Sequence, residues 1–202
     1  TMRVVIAGGG AIGAATAFFL AERGVEVVVV ERHAVAGSAS GKAGGFLALD
    51  WCDGTALEPL ARRSFQLHGE LVARFGNPWD YRRLETFAVA ASARRRLGRG
   101  EPALDWLADG VAVEGRLGDT ATTAQVHPAR FTEGLFARAR AARVVHATVA
   151  GLVRQGERAT GLRTDAGDLE GDAVVVALGP WSPQLGDGAP RVHGVPGPSL
   201  VL

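Results

Sequence analysis

Cysteine occurs once in the 202 residues, as Cys52. One cysteine excludes an internal disulfide and a cysteine-built zinc site, and it suits a reducing compartment. Lysine also occurs once, as Lys42, and every other basic residue is arginine. With abundant alanine and glycine, that bias reads as coding preference rather than chemistry. Basic and acidic residues nearly cancel, 22 against 21 for a net charge of +1, so the composition offers no reason to invoke nucleic acid or a lipid surface. No stretch is apolar for long enough to span a bilayer. The run from Val4 to Leu20 behind Arg3 imitates a secretory leader, but it encloses a glycine-rich turn and runs into a second apolar segment, so it reads as folded structure. The cytoplasm is the expected compartment. The length allows one domain, or one domain with a small insertion.

What is present is concentrated at the start. Residues Met2 to Arg32, MRVVIAGGGAIGAATAFFLAERGVEVVVVER, read as strand, tight turn, helix, strand. The first strand, Arg3 to Ala7, and the second, Val25 to Val30, are the continuous apolar runs of a parallel sheet covered on both faces. A helix from Ala11 to Arg23 lies between them, stopped by Gly24. The turn carries Gly8-x-Gly10-x-x-Gly13, and Glu31 follows 18 residues after Gly13. Gly8 permits the sharp turn, Gly10 lets backbone approach a pyrophosphate, and Gly13 lets helix pack on strand. The helix N-terminus offers unpaired N–H groups to phosphate, and an acid at this spacing hydrogen-bonds a ribose hydroxyl. The stretch therefore reads as the binding site of an adenine dinucleotide.

The segment His33 to Asp50 is a Gly/Ala/Ser-rich loop; standing straight after the acid-bearing strand, it reads as backbone lying on a ligand, with Ser40, Lys42 and the glycines as donors, in preference to a mobile linker. Thr55 to Phe75 has the spacing of an amphipathic helix, with Leu57, Leu60, Ser64, Leu67, His68, Leu71, Val72 and Phe75 on one face. Thr55 and Glu58 suggest a capping box, and Gly76 ends the helix. His68 sits on the apolar stripe and reads as core or boundary rather than catalytic. From Asn77 to Gln125 the texture is mixed. Strand character appears over Tyr81 to Ala90, a solvated arginine run over Arg94 to Arg96, and a short helix over Leu104 to Ala108. A further helix opens at Pro128 with Phe131, Leu135, Phe136 and Ala139 on one face. Three β segments follow, Val144 to Arg154, Ala159 to Thr164 and Asp168 to Leu178, the last ending in Gly179-Pro180-Trp181-Ser182. A second apolar strand that ends in glycine brings loops to the carboxyl edge of an open α/β sheet, where such sheets bind ligands. The chain stops within an apolar run, Ser199 to Leu202, which suggests the first part of something longer.

Four separated motifs carry a family resemblance. They are Gly8 to Glu31; Ala39-Ser40-Gly41-Lys42-Ala43-Gly44-Gly45; Gln125-Val126-His127-Pro128; and Ala177 to Ser182. In order and spacing the chain resembles the FAD-dependent oxidoreductases of the D-amino-acid-oxidase type, which include glycine and sarcosine oxidases. The resemblance implies a three-layer, FAD-binding Rossmann-like α/β fold, with a parallel sheet, a β meander and an inserted partial substrate domain. Residues 1–76 and 128–202 would form the FAD-binding part, and 77–127 the partial substrate or cap domain. The turn Gly8, Gly10, Ala11, Ile12 and Gly13 would hold the FAD pyrophosphate, Glu31 the adenosine ribose, and Arg32 would lie beside the adenine. Ser40, Gly41, Lys42, Ala43, Gly44 and Gly45 would run along the pyrophosphate toward the flavin ring. Val149 would meet the adenine through its backbone. Ala177 and Gly179 would close over the cofactor, with Trp181 stacking near it or packing the sheet end.

The implied chemistry is oxidation of a small-molecule amine or amino acid by hydride transfer to flavin N5, the flavin carrying the difficult step. No acid or base needs to be named. A cation at Lys42 could favour the reduced flavin, or its charge could face solvent or phosphate. His127 reads as a capping or packing residue and Cys52 as a small buried hydrophobe. Two other readings share the glycine turn: an NAD-dependent dehydrogenase, and a non-catalytic or truncated nucleotide-binding module. The dehydrogenase reading leaves the Ser40 to Gly45 loop and the closing Gly179-Pro180-Trp181 unexplained, and the abrupt end of the chain keeps the truncated-module reading open.

Overall fold

The computed structural model describes residues 1–92, 100, 102–186, 191, 192 and 194. In chain order the elements are β1 (Arg3–Ala7), α1 (Ala11–Ala21), β2 (Glu26–Glu31), α2 (Ala39–Lys42), β3 (Phe46–Ala48), α3 (Glu58–Phe75), β4 (Arg82–Arg83), β5 (Thr86–Ala91), β6 (Val111–Gly118), β7 (Thr123–Gln125), α4 (Pro128–Arg138), β8 (Ala142–His146), β9 (Val149–Gln155), β10 (Arg158–Thr164), β11 (Gly167–Glu170) and β12 (Ala173–Val176). A 3-10 helix, Gly179–Leu185, follows β12. The chain divides into two compact units, residues 45–126 and the remainder on either side of them.

The outer unit is built on a four-stranded parallel sheet in the order β12-β1-β2-β8. Val4 pairs with Val27 on one side and Ala173 on the other, and Glu31 at the end of β2 pairs with His146. Val4 to Ala7 and Val27 to Val30 are all buried, as expected of strands covered on both faces. Side chains alternate along a strand. One set, Val5, Ala7, Val28 and Val30, packs with Ala147 and Leu162 against the antiparallel meander β9-β10-β11. α1 covers the opposite face and packs against α4. Meander, sheet and helices make three layers, the architecture the family resemblance implies.

Several boundaries depart from the sequence reading. The segment Val144 to Arg154 is two strands, because Ala147-Thr148 carries the chain from the parallel sheet into the meander. Asp168 to Leu178 likewise splits at Gly171-Asp172, where the Arg3 amide donates to the Asp172 carboxylate at 2.7 Å. The supposed loop His33 to Asp50 contains α2 and β3.

In the inner unit, β3 and β4 both pair with β7, and β5 pairs with β6. α3 packs on β3, and by its contacts it belongs with this compact unit. The start of α3 is also different. Leu57 and Leu60 are exposed, and the buried positions of the helix are Phe65 and Leu71. No capping box forms. Thr55 Oγ1 accepts from the Leu57 amide, and Glu58 reaches back to the Gly54 amide at 2.9 Å. Gly76 ends the helix in the left-handed conformation. Leu104 to Ala108 makes a single turn, closed by the Leu107 amide on the Leu104 carbonyl, and not a helix. The arginine run at 94–96 lies outside the described residues.

Candidate functional site

The glycine turn joins the carboxyl end of β1 to α1. Gly8 has φ +106°, and a side chain there would collide with the Ala177 carbonyl, so the turn and the end of β12 approach as backbone on backbone. Gly13 does not face the cavity. A Cβ on it would lie 1.9 Å from the Gly8 carbonyl oxygen, so its task is to let α1 close on the turn. Gly10, at the helix N-cap, has no side chain to cap α1 and no acid follows in the first turn. The hydroxyl of Ser40, carried on α2, accepts from the Ala11 amide at 2.9 Å instead.

Glu31 reaches under this turn from the end of β2. Its Oε2 accepts from the Gly9 amide at 2.9 Å and its Oε1 from the His33 amide at 3.0 Å. The carboxylate therefore braces the turn while standing at the mouth of the site. Arg32 stacks over the Trp181 ring, Cζ lying 4.6 Å from the ring centre, which ties the end of β2 to the 3-10 helix after β12.

These groups enclose a cavity of about 350 Å³ at the carboxyl ends of β1, β2 and β12. It is lined by Gly8, Gly10, Ala11, Ile12, Glu31, Arg32, Ser40, Val149, Ala177, Gly179 and Trp181, eleven of the positions singled out in the sequence. Gly13, Gly41, Lys42, Ala43, Gly44 and Gly45 are not among the lining residues. Gly41 has a packing role, since a Cβ there would overlap the Ala36 carbonyl. Lys42 ends α2 with its side chain exposed, and Gly45 belongs to the inner unit. Sequence reasoning missed Ala147 and Thr148, between β8 and β9, and Val176 at the end of β12, and Val30, Gly37, Ser38 and Gln184 also line the cavity. Ala147, Thr148 and Val176 carry no motif.

His127 caps α4, its Nδ1 accepting from the Arg130 amide at 3.4 Å. Cys52 is a half-buried free thiol. Burial pushes the imidazole of His68 down to about 4, so it is neutral at pH 7. Among the described residues no cluster of His, Cys, Asp and Glu has the make-up of a metal site, and no helix is long and apolar enough to cross a membrane.

The cavity suits a dinucleotide on physical grounds. A helix N-terminus with backbone donors faces it, a carboxylate stands at the next strand end, and a side chain on Gly10 would fill the approach, its Cβ lying 2.9 Å from Ser40 Oγ. The family model described as FAD dependent oxidoreductase matches residues 3–202. The glycine oxidase of Pseudomonas putida is 30% identical over 206 residues, 91% of this chain and 56% of that protein. Among solved structures, the glycine oxidase from Bacillus cereus superposes with a TM-score of 0.68 at 25% identity, covering 90% of this chain and 57% of that one. The glycine oxidase from Geobacillus kaustophilus gives 0.65 at 26% identity, over 92% and 58%. The chain thus spans just over half the length of these relatives.

Proposed function

Because the chain belongs to the family of FAD-dependent oxidoreductases, matched over residues 3–202, we propose that the cavity at the glycine turn holds FAD and serves the oxidation of a small amine or amino acid at its C–N bond. The observation that carries this reading is the convergence of the α1 N-terminus, Glu31, Ser40 and the Ala177–Gly179 segment on one cavity. In this reading the backbone donors of Gly10, Ala11 and Ile12 meet the pyrophosphate, and Ser40 exchanges its bond to the Ala11 amide for one to phosphate. Glu31 takes an adenosine ribose hydroxyl while keeping the Gly9 amide. The backbone of Val149 borders the adenine, Arg32 and Trp181 form one stacked side of the slot, and Ala177 and Gly179 cover the other.

A bound flavin would supply the redox chemistry, a two-electron oxidation in which a hydride leaves the amine-bearing carbon and a proton leaves the nitrogen to give the imine. The residues of this chain hold and orient that group. Lys42 and Gly41 to Gly45 continue from the pyrophosphate toward the ring in the proposed arrangement, with residues 1–76 and 128–202 as the cofactor-binding part and 77–127 as the start of the substrate part. The relatives named glycine oxidase support a glycine-sized amino acid as the first substrate to try.

The test is anaerobic mixing of the flavin-loaded protein with glycine, sarcosine and a panel of amino acids, following the flavin absorbance. Bleaching by an amine or amino acid supports the reading. Flavin that none of them reduces overturns the assignment of C–N oxidation. A Gly10→Val variant separates binding from chemistry, because its branched side chain would stand where the pyrophosphate must approach.

A further inference from the structure

In the wall formed by Ala147, Thr148 and Val149, the Ala147 and Val149 side chains pack into the core, while Thr148 between them has no packed side chain to hold it. Thr148 is exposed, and the segment runs between β8 and β9 without glycine, proline or an internal turn bond. Beyond the pairing of Val149 with Thr164, two ties fix it from outside. The Ala147 amide donates to the Glu31 carbonyl at 3.2 Å, which joins the wall to the end of β2. The other tie comes from the hairpin turn between β10 and β11. There the Thr148 amide donates to Asp165 Oδ1 at 2.8 Å, and the Asp165 amide donates to the Thr148 carbonyl at 3.2 Å.

The turn is built to present this carboxylate. Thr164 Oγ1 donates to the Gly167 carbonyl at 2.6 Å and accepts from the Ala166 amide at 3.1 Å, closing the two-residue loop Asp165-Ala166. Gly167 has φ +108°, and the β9–β10 register shifts between Arg163 and Thr164, which brings Asp165 opposite Thr148. The side chain of Asp165 thereby extends the sheet ladder by one bond beyond the last strand pair, onto the backbone that borders the cavity.

We propose that Asp165 is a positioning residue of the nucleotide site, acting through the Thr148 amide to hold the backbone wall against the adenosine half of the ligand. The inference rests on the reading of the cavity as the FAD site. Asp165 touches neither cofactor nor substrate in this account. Its effect is on how well the wall is ordered before the nucleotide arrives, and so on the ordering entropy that binding must overcome.

The experiment titrates FAD, and separately ADP, into the full chain and into Asp165→Ala and Asp165→Asn, with thermal unfolding of each. Asp165→Ala is expected to weaken both ligands about three- to tenfold, the range of one hydrogen bond. Asp165→Asn keeps an oxygen acceptor at the same place and is expected to bind within about twofold of wild type. ADP should suffer as much as FAD, since the wall meets the adenosine half. Unchanged affinity in Asp165→Ala overturns the proposal, as does equal loss in the Ala and Asn variants. A lower melting temperature with unchanged affinity of the folded protein also overturns it, since Asp165 would then only stabilise the meander. Wild-type protein that binds neither ligand overturns the underlying reading, and this inference with it, before any variant is compared.

Discussion

Replacing Gly13 by alanine should be among the most damaging one-carbon changes in the chain. The added Cβ would sit 1.9 Å from the Gly8 carbonyl oxygen, 3.1 Å from its carbon and 3.6 Å from Ile6 Cγ2. Ordinary contact begins at 3.4 Å, so the helix and the turn must part by more than an ångström. The obstacle is backbone, locked on both sides. The Gly8 amide donates to the Val30 carbonyl, and Gly8 abuts Ala177. Overpacking of this kind costs about 1–3 kcal/mol or more. Alanine returns at most about 1 kcal/mol of helix propensity. A net loss of up to about 2 kcal/mol follows, or up to about 4–8 °C in melting temperature for a chain of this size. Nucleotide affinity should fall as well, because α1 would carry its N-terminus away from the cavity. Gly69→Ala is the control. Gly69 lies inside α3 with nothing within 4 Å of the added carbon, and should gain up to about 1 kcal/mol. The assay is urea unfolding followed by circular dichroism, with FAD titration alongside. Gly13→Ala as stable as wild type would refute the claim that close approach is what this glycine provides.

Two further outcomes follow from particular residues. Removing the Glu31 carboxylate as Glu31→Ala frees the Gly9 and His33 amides together with the proposed ribose contact, so dinucleotide affinity should drop at least about tenfold; isothermal titration reads it, and unchanged affinity would remove Glu31 from the site. His68 carries a pH dependence. At pH 7 it is neutral folded or unfolded. As pH falls through 6.5 the unfolded chain takes up the proton while the buried imidazole resists until about 4, so stability falls over that window. The full loss approaches about 3 kcal/mol as an upper bound. His68→Leu should flatten the difference between unfolding at pH 7 and pH 4.5, and parallel profiles for the two proteins would contradict this.

The cofactor end of the fold was legible because its determinants are local. Within Met2 to Arg32 the strand runs, the glycine spacing and the acid follow one another, and the same residues meet in space. The wall at Ala147 to Val149 was not legible. Its change of sheet happens at Ala147-Thr148, which has none of the usual turn residues and sits inside a β-branched run. The break at Gly171-Asp172 did carry turn punctuation, but the continuous valines that follow masked it. In the inner unit, β5 and β6 pair across a wide sequence separation with two register shifts, so neither strand keeps a clean alternation. The face of α3 was misplaced for a related reason. Leucine at 57 and 60 fits the helical period, yet both are exposed, and the buried Phe65 lies off the stripe drawn through Ser64. Motif position named Lys42 and Gly41 to Gly45 together. In the structure Gly41 serves packing on Ala36 and Lys42 ends a one-turn helix, a distinction that spacing alone does not carry.

The central claim is that the Gly8 to Glu31 site is an FAD site. Recording the visible spectrum of the purified protein, before and after adding FAD, and identifying any nucleotide released on denaturation tests it most directly. A flavin spectrum, release of FAD, and loss of both in Gly10→Val are expected. A colourless protein that takes up no FAD while NAD raises its melting temperature would contradict it.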